Sequence, residues 1–175
     1  VERSPDFSGL TEAFQTLRSI EYAMDVGPLL ADHRDKIKPE VVWNTEEGQK
    51  VTAPQLIAAQ EARGRITASA AALLEEVDAI LCPTAIVPSF DVDQRHVAEC
   101  DGRQFIHYFE WLAMVYGPTI TGLPAISIPS GMTDAGIPMG IQLLGPARGE
   151  ARLLSMAAAL EEVFDWPGLP VTPAG

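Results

Sequence analysis

The sequence predicts an α/β protein in which a mixed β-sheet is covered by helices. Two observations lead to this fold class. Apolar residues recur at helical spacing in several segments, and short apolar runs bounded by turn residues alternate with those segments. The resulting order is helices, strand, helix, hairpin, helix. Because there is no internal repeat and no linker long enough to separate two domains, we assign residues 1–175 to one domain.

Two helices are predicted within the first fifty residues. The first should begin at Thr11, a suitable N-cap, and end at Gly27-Pro28. The second is shorter and is predicted from Pro39 to Glu47, with Gly48 as its terminator. The apolar stripe of the first helix, at spacings of three and four, consists of Leu10, Phe14, Leu17, Ile20 and Met24.

A long helix should follow these two. Thr52-Ala-Pro-Gln55 is typical of a capping box with proline in the first turn, and the helix should extend to about Glu76. Its many alanines indicate close packing against a neighbour. The stripe predicted to be buried consists of Leu56, Ala59, Ile66, Ala70, Leu73 and Val77.

The middle of the chain alternates between strand, loop and helix. Residues 79–82 predict a short buried strand, and residues 83–104, which contain prolines and several acids, predict an extended loop. The aromatic-rich residues 105–116 predict a helix that ends at Gly117-Pro118.

The most strongly patterned segment predicts an antiparallel hairpin. Its strands are residues 125–129 and 140–145, and the Gly- and Asp-containing residues 130–138 form the turn between them. A last helix is predicted over 149–164, followed by an irregular tail from Trp166. The inward residues of that helix are Leu153, Met156, Leu160 and Val163.

Charge and hydropathy exclude several classes of protein. The chain has 12 Lys and Arg against 24 Asp and Glu, a net charge of −12. Binding nucleic acid requires clustered basic residues, as does a polybasic membrane anchor, so we expect no nucleic-acid partner and no membrane attachment. No apolar run approaches the roughly 18–20 residues of a membrane helix.

Cysteine usage favours a reducing compartment. Cys82 and Cys100 are the only cysteines, and no export signal is visible, so they are interpreted as reduced thiols of a cytoplasmic protein. Spacing alone leaves open whether the two interact.

The sequence lacks the common motifs for phosphates and metals. There is neither a dinucleotide-binding glycine run nor a P-loop, and no Gly-x-Ser-x-Gly elbow; Ser130-Gly131 resembles one only loosely. His33, His96 and His107 are far apart, and none has a second ligand at a metal-binding spacing. We therefore expect no metal and no cofactor.

The distribution of lysine argues against a Ser-Lys nucleophile within this chain. The only lysines are Lys36, Lys38 and Lys50, which lie in a polar stretch beside Asp35, Glu46 and Glu47. A catalytic lysine needs a lowered pKa, and a lysine flanked by acids in water does not have one.

Residues 116–145 resemble the C-terminal part of the amidase signature family. The matching run is Tyr116-Gly-Pro-Thr-Ile-Thr-Gly122-Leu-Pro124-Ala-Ile-Ser-Ile-Pro129-Ser-Gly131, followed by Gly136-Ile-Pro138-Met-Gly140-Ile-Gln142-Leu-Leu-Gly145. The family form is T-G-x-P-A-x-S-x-P-x-G, a turn, then G-x-P-x-G-x-Q-x-x-G. The segment from Asp78 to Thr84 resembles the family's D-x-x-x-x-P-T strand and loop, and the last helix resembles its closing helix.

The resemblance implies the C-terminal portion of the amidase signature fold and a serine hydrolase that acts on amides. The family's centre is a serine, a second serine in a cis peptide, and a lysine, all in the N-terminal half. The Ser/Gly-rich run that carries them does not occur here. We therefore predict no catalytic residue in this chain, inactivity of the chain alone, and two partners: a small-molecule amide and the N-terminal half of the same protein. Uncovered sheet edges would also favour a homodimer.

The family's C-terminal loops shape the substrate pocket, and this implies five substrate-binding candidates. They are Thr84, Trp111, Tyr116, Thr119 and Thr121. The threonines and the tyrosine offer hydroxyls, and the tryptophan offers an apolar wall. For the two aromatic residues, packing in the core is the alternative interpretation.

Two other functions remain open at the level of sequence. The chain could be a non-catalytic binding or assembly module that keeps the fold, or part of the amide-transferring component of a tRNA-dependent amidotransferase. The coding sequence upstream of Val1 would separate enzyme from module, since an enzyme requires a lysine followed by a Ser/Gly-rich run.

Overall fold

The computed structural model describes residues 2–164. The chain divides into two compact units at the boundary between Leu73 and Leu74. The first unit is helical. The second contains the β-sheet, and the predicted α/β class with a helix-covered sheet is confirmed.

Four helices precede the sheet. They are α1 (Leu10–Asp25), α2 (Leu30–His33), α3 (Pro39–Gly48) and α4 (Ala53–Leu74). Single turns of 3₁₀ helix at Gly27–Leu29 and Arg34–Lys36 connect α1, α2 and α3. The predicted helices of this region are therefore confirmed, and α2 is an additional short one.

The starts of α1 and α4 differ in how they are capped. Thr11 is not the N-cap of α1, because the helix begins one residue earlier and Gly9, with φ of 78°, precedes it. Only a residue that tolerates a left-handed backbone fits there. The capping box of α4 is present, since Gln55 Oε1 accepts from the Thr52 N–H and from its hydroxyl, both at 2.8 Å.

The contact between α1 and α3 is close and polar. Gln15 Nε2 donates to Ser19 Oγ at 2.9 Å and to Asn44 Oδ1 at 3.1 Å, and both acceptor residues are buried. Gly48 is the last residue of α3, and a Cβ there would lie 1.8 Å from the Ser19 carbonyl oxygen. The glycine therefore serves close helix packing, and not only the helix end that the sequence predicted.

The buried stripes were predicted correctly in part. Met24 is 70% exposed and Leu56 is also exposed, so both assignments were wrong. The buried face of α4 rests on small side chains, which allow the close approach that its alanines indicated. That face consists of Ala59, Ala62, Ile66, Ala70 and Leu73.

The second unit contains a three-stranded sheet in the order β1-β5-β4. Its strands are β1 (Ile80–Pro83), β4 (Ala125–Met132) and β5 (Pro138–Leu144), and both pairings are antiparallel. The predicted hairpin is therefore confirmed. Because β4 pairs on one side only among the described residues, it continues through Pro129, where a proline lacks the ladder donor.

The segment between β1 and β4 corrects two predictions. Residues 83–104 are not all loop, because β2 (Glu99–Cys100) and β3 (Arg103–Gln104) form a minimal antiparallel pair. Residues 105–116 are not one helix either. A 3₁₀ turn at Glu110–Leu112 leads into α5 (Ala113–Thr121), which passes through Gly117-Pro118 and ends where Gly122 adopts φ of 68°.

Helix α6 (Glu150–Phe164) covers one face of the sheet. Leu153 and Ala157 on the helix pack with Ile128 and Leu143 on the strands, and all four are buried. The inward assignment of Val163 was wrong, since its side chain is 75% exposed. The partly buried residues around this core are Ile126, Ile141, Met156 and Leu160. The tail predicted from Trp166 lies outside the described residues.

Within residues 2–164, no helix combines the length and apolar character that crossing a bilayer requires.

The glycine at the α1–α3 contact gives a direct test of this packing. Gly48→Ala should lower the free energy of unfolding by about 1–3 kcal/mol or more, because its Cβ would overlap the Ser19 carbonyl. The matched control is Gly64→Ala, at an exposed position of α4 with no atom within 4 Å, which should stabilise by about 0.5–1 kcal/mol. Denaturant unfolding measures both. Equal effects would contradict the close contact.

Candidate functional site

The face of the sheet opposite α6 is polar. Leu143 and Ile128 point toward α6, so their neighbours Gln142 and Ser127 point to the other face. Gln142 is the register partner of both Cys82 on β1 and Ser127 on β4. A row of thiol, amide and hydroxyl therefore crosses the sheet on this side.

Two hydroxyls meet beside that row. Thr84 directly follows β1, and its Oγ1 lies 2.7 Å from Ser127 Oγ on β4. The two strands are not adjacent, since β5 runs between them. The contact is possible because Gly140 on β5 has no side chain; a Cβ there would lie 3.0 Å from Thr84 Oγ1 and 3.1 Å from Ser127 Oγ.

This hydroxyl pair can bind a polar group. Ser127 is exposed and Thr84 is half-buried. Each hydroxyl carries one donor and two acceptor sites, and the bond between them uses one donor and one acceptor. One O–H and several lone pairs remain for an amide that approaches this face.

Gln142 connects three parts of the unit. Its side chain is 8% exposed, and Nε2 donates to the Pro83 carbonyl at 3.1 Å and to the Met114 carbonyl at 2.7 Å. In a regular helix the Met114 carbonyl would accept from the N–H of residue 118. Residue 118 is proline and has no N–H, so the amide of Gln142 satisfies this carbonyl.

Cys82 lies beside Gln142 as a neutral thiol. Burial raises the pKa of the Cys82 thiol above its ordinary value, and a hydrogen bond with the Gln142 side chain opposes part of that rise. A thiol with a raised pKa is a poor nucleophile at neutral pH. Cys82 and Cys100 are both free thiols.

Of the five predicted site residues, Thr84 lies on the polar face. Thr119 is exposed, but its hydroxyl donates to the Val115 carbonyl at 2.9 Å within α5. The Thr121 hydroxyl donates to the Pro118 carbonyl at 2.6 Å and accepts from the Leu123 N–H at 3.2 Å, so it stabilises the end of that helix.

The two aromatic candidates lie in aromatic surroundings. Tyr116 is 3% exposed, with its ring centroid 6.2 Å from that of Phe109. Trp111 is half-buried and contacts Phe90 edge to face, with centroids 5.6 Å apart. The position of Tyr116 favours core packing, whereas the partly exposed pair of Trp111 and Phe90 offers an apolar wall.

Sequence reasoning missed Ser127, Gly140 and Gln142 as site residues. All three lie in the patterned block that suggested the family, where glycine and proline drew attention to backbone geometry. The available signal was the strand period. Ser127 and Gln142 are polar residues between apolar neighbours, which indicates the face opposite the core.

The lysines do not supply a proton acceptor. Lys36, Lys38 and Lys50 are all exposed. Lys50 Nζ lies 2.7 Å from Glu47 Oε1, and this hydrogen bond, with the carboxylate charge, raises the pKa of Lys50. A lysine that accepts a proton from serine needs the opposite shift.

No group of three His, Cys, Asp or Glu side chains suited to a metal ion occurs in the described part of the chain.

Known proteins resemble this chain over most of its length. Residues 11–154 match the family model described as Amidase. The chain is 33% identical over 105 residues to the putative amidase AmiA2 of Mycobacterium bovis, covering 54% of this chain and 19% of the relative. It is 38% identical over 104 residues to the A-type component of the glutamyl-tRNA(Gln) amidotransferase of Thermus thermophilus, covering 59% and 20%.

These alignments span about a fifth of the length of the curated relatives. Among solved structures, one described as the crystal structure of amidase matches with a TM-score of 0.82 at 22% identity, covering 91% of this chain and 36% of that chain. At this level of identity the likeness shows a shared fold.

Gly140→Ala tests whether the missing side chain permits the hydroxyl contact. The substitution should cost about 1–3 kcal/mol of unfolding free energy, because the new methyl crowds both hydroxyls. In a Ser127→Ala background the cost should be smaller, since one of the two crowded atoms is gone. Urea unfolding of the four proteins in this cycle measures the difference. An identical cost in both backgrounds would contradict the geometry.

The thiol of Cys82 should react slowly with iodoacetamide. In a Cys100→Ser variant, the pH midpoint of the labelling rate should lie above that of the same chain unfolded in urea, because burial disfavours the thiolate. Mass spectrometry of the alkylated protein follows the rate. A midpoint at or below the unfolded value would mean that Cys82 is not desolvated as described.

Proposed function

The chain belongs to the amidase family, as its sequence motifs predicted, and on that premise we propose that it forms the substrate-side scaffold of an enzyme that cleaves carboxamides. The observation that carries this proposal is the hydroxyl pair of Thr84 and Ser127 on the polar face of the sheet. It is a preformed hydrogen-bonding position on rigid strands, within the segment that matches the family.

The reactive groups are proposed to lie outside residues 1–175. A serine hydroxyl adds to the amide carbonyl carbon, the C–N bond breaks, and the departing nitrogen takes the proton that the serine lost. Water then adds to the acyl-enzyme ester and releases the carboxylic acid and the free serine. The resemblance implies a Ser–cis-Ser–Lys centre for these steps, and the three exposed lysines here are unsuited to it.

This chain's own residues are proposed to bind and orient the amide. The free O–H of the hydroxyl pair can donate to a carbonyl oxygen of the substrate, and the remaining lone pairs can accept from an N–H. Trp111 and Phe90 provide an apolar surface for the substrate's hydrocarbon part. Thr119, Thr121 and Tyr116 remain predictions as substrate contacts.

The remaining partners and the location follow the same proposal. We propose that the polypeptide carrying the catalytic serines packs with this chain, and that a homodimer and a cytoplasmic location accompany the activity. Size-exclusion chromatography with light scattering tests the dimer, and fractionation of the source cells tests the location.

A second candidate is the amide-transferring component of a tRNA-dependent amidotransferase. The 38% identity to such a component favours it specifically. The two functions share amide cleavage and differ in the acceptor of the released ammonia. Glutamine hydrolysis that depends on a second protein and on aminoacyl-tRNA would favour the transferase, whereas release of free ammonia from simple amides without either would favour the hydrolase.

Substitution of the hydroxyl pair in the complete natural polypeptide tests the binding role. Thr84→Val or Ser127→Ala should raise KM for an amide substrate up to about tenfold, the equivalent of one neutral hydrogen bond. The matched control is Ser155→Ala, whose hydroxyl donates to the Ala151 carbonyl on α6, and KM should not change there. An unchanged KM in both site variants would contradict a substrate-binding role for the pair.

The chain of residues 1–175 alone should not hydrolyse simple aryl or aliphatic amides. This is expected because none of its lysines is suited to accept the proton of a serine. Ammonia or amine release by the purified chain measures the activity. Clear turnover that is abolished by Ser130→Ala would overturn the assignment of the catalytic serines to other sequence.

A further inference from the structure

The Gln142 amide occupies the one place where β1, β5 and α5 can be joined by a single side chain. Both of its N–H donors are used on backbone carbonyls, one at the end of β1 and one in the first turn of α5. The side chain is almost fully buried. A buried amide with both donors satisfied fixes the positions of the groups that it binds.

Pro118 reserves one of these carbonyls for Gln142. A residue with an N–H at position 118 would pair with the Met114 carbonyl inside the helix. Proline removes that donor, and the carbonyl stays open toward the sheet. The proline and the glutamine therefore act as a pair, although they lie on different elements.

The other bond of Gln142 acts on the residue before Thr84. Nε2 holds the Pro83 carbonyl, and the next N–H, that of Thr84, donates to the Gly140 carbonyl at 3.1 Å. The Thr84 hydroxyl is then directed at Ser127 Oγ. The backbone of Thr84 is thus fixed immediately on both sides of its peptide group, and the hydroxyl follows from that placement.

We propose that Gln142 is a positioning residue for the amide-cleaving reaction, one that acts by holding Thr84 in its substrate-binding place. This inference rests on the proposed function. Loss of the Gln142 amide releases the Pro83 carbonyl, moves Thr84, and weakens substrate binding without touching the substrate itself. Its effect on KM must then pass through the Thr84 hydroxyl.

A double-mutant cycle in the complete natural polypeptide tests this role. Gln142→Met keeps the length of the side chain and removes both donors. It should raise KM up to about tenfold, as Thr84→Val does, with kcat nearly unchanged. The double variant should also show about a tenfold rise and not about a hundredfold one, because both changes remove the same contact. Gln104→Met, at an exposed position of β3, is the matched control and should leave KM unchanged.

Pro118→Ala provides a second variant in case Gln142→Met folds poorly. It restores an N–H that competes with Gln142 for the Met114 carbonyl, in a helix that alanine favours. KM should rise in the same direction, by a smaller factor, in a protein that remains folded by circular dichroism.

The outcomes separate this inference from the proposed function. A wild-type protein that turns over no amide defeats the proposed function. An active wild type in which Gln142→Met and Pro118→Ala leave KM unchanged overturns the positioning role alone. So does a double variant in which the effects of Gln142→Met and Thr84→Val multiply, since the glutamine would then not act through Thr84.

Discussion

The structure of the second unit depends on a buried amide that occupies a gap left by a proline. Pro118 lies inside α5, where a proline ordinarily costs about 3 kcal/mol because a helical hydrogen bond is lost. Gln142 supplies the missing donor from the sheet. The same nitrogen holds the last residue of β1, so one side chain ties helix and strands together. The helix can pass through Gly117-Pro118 because the unpaired carbonyl has a partner.

The two faces of the sheet divide stability and function between them. The face under α6 is apolar, and its burial stabilises the unit. The other face carries the thiol, the amide and two hydroxyls, which would weaken a core but suit a binding surface. Gly140 makes this division possible at its centre, because the absence of a side chain lets hydroxyls from non-adjacent strands meet. Rigid strands thus carry the polar groups that we assign to substrate.

Periodicity and turn chemistry predicted much of this fold. The hairpin follows from two apolar strands around a Gly/Asp turn, and α4 follows from its capping box. Local rules failed where a distant residue overrides them. Pro118 suggested a helix end because its partner, Gln142, lies 24 residues later in the chain. Thr84 could be proposed from a motif, but its contact with Ser127 depends on strand order, which local sequence does not encode.

The central claim is that this chain supplies scaffold and substrate contacts to an amidase whose nucleophile belongs to other sequence. Labelling of the complete natural polypeptide with a fluorophosphonate, followed by peptide mapping, tests it most directly. The account predicts one modified serine, outside residues 1–175, and loss of amide turnover in step with the labelling. A modified serine within this chain, at Ser127 or Ser130, would contradict it.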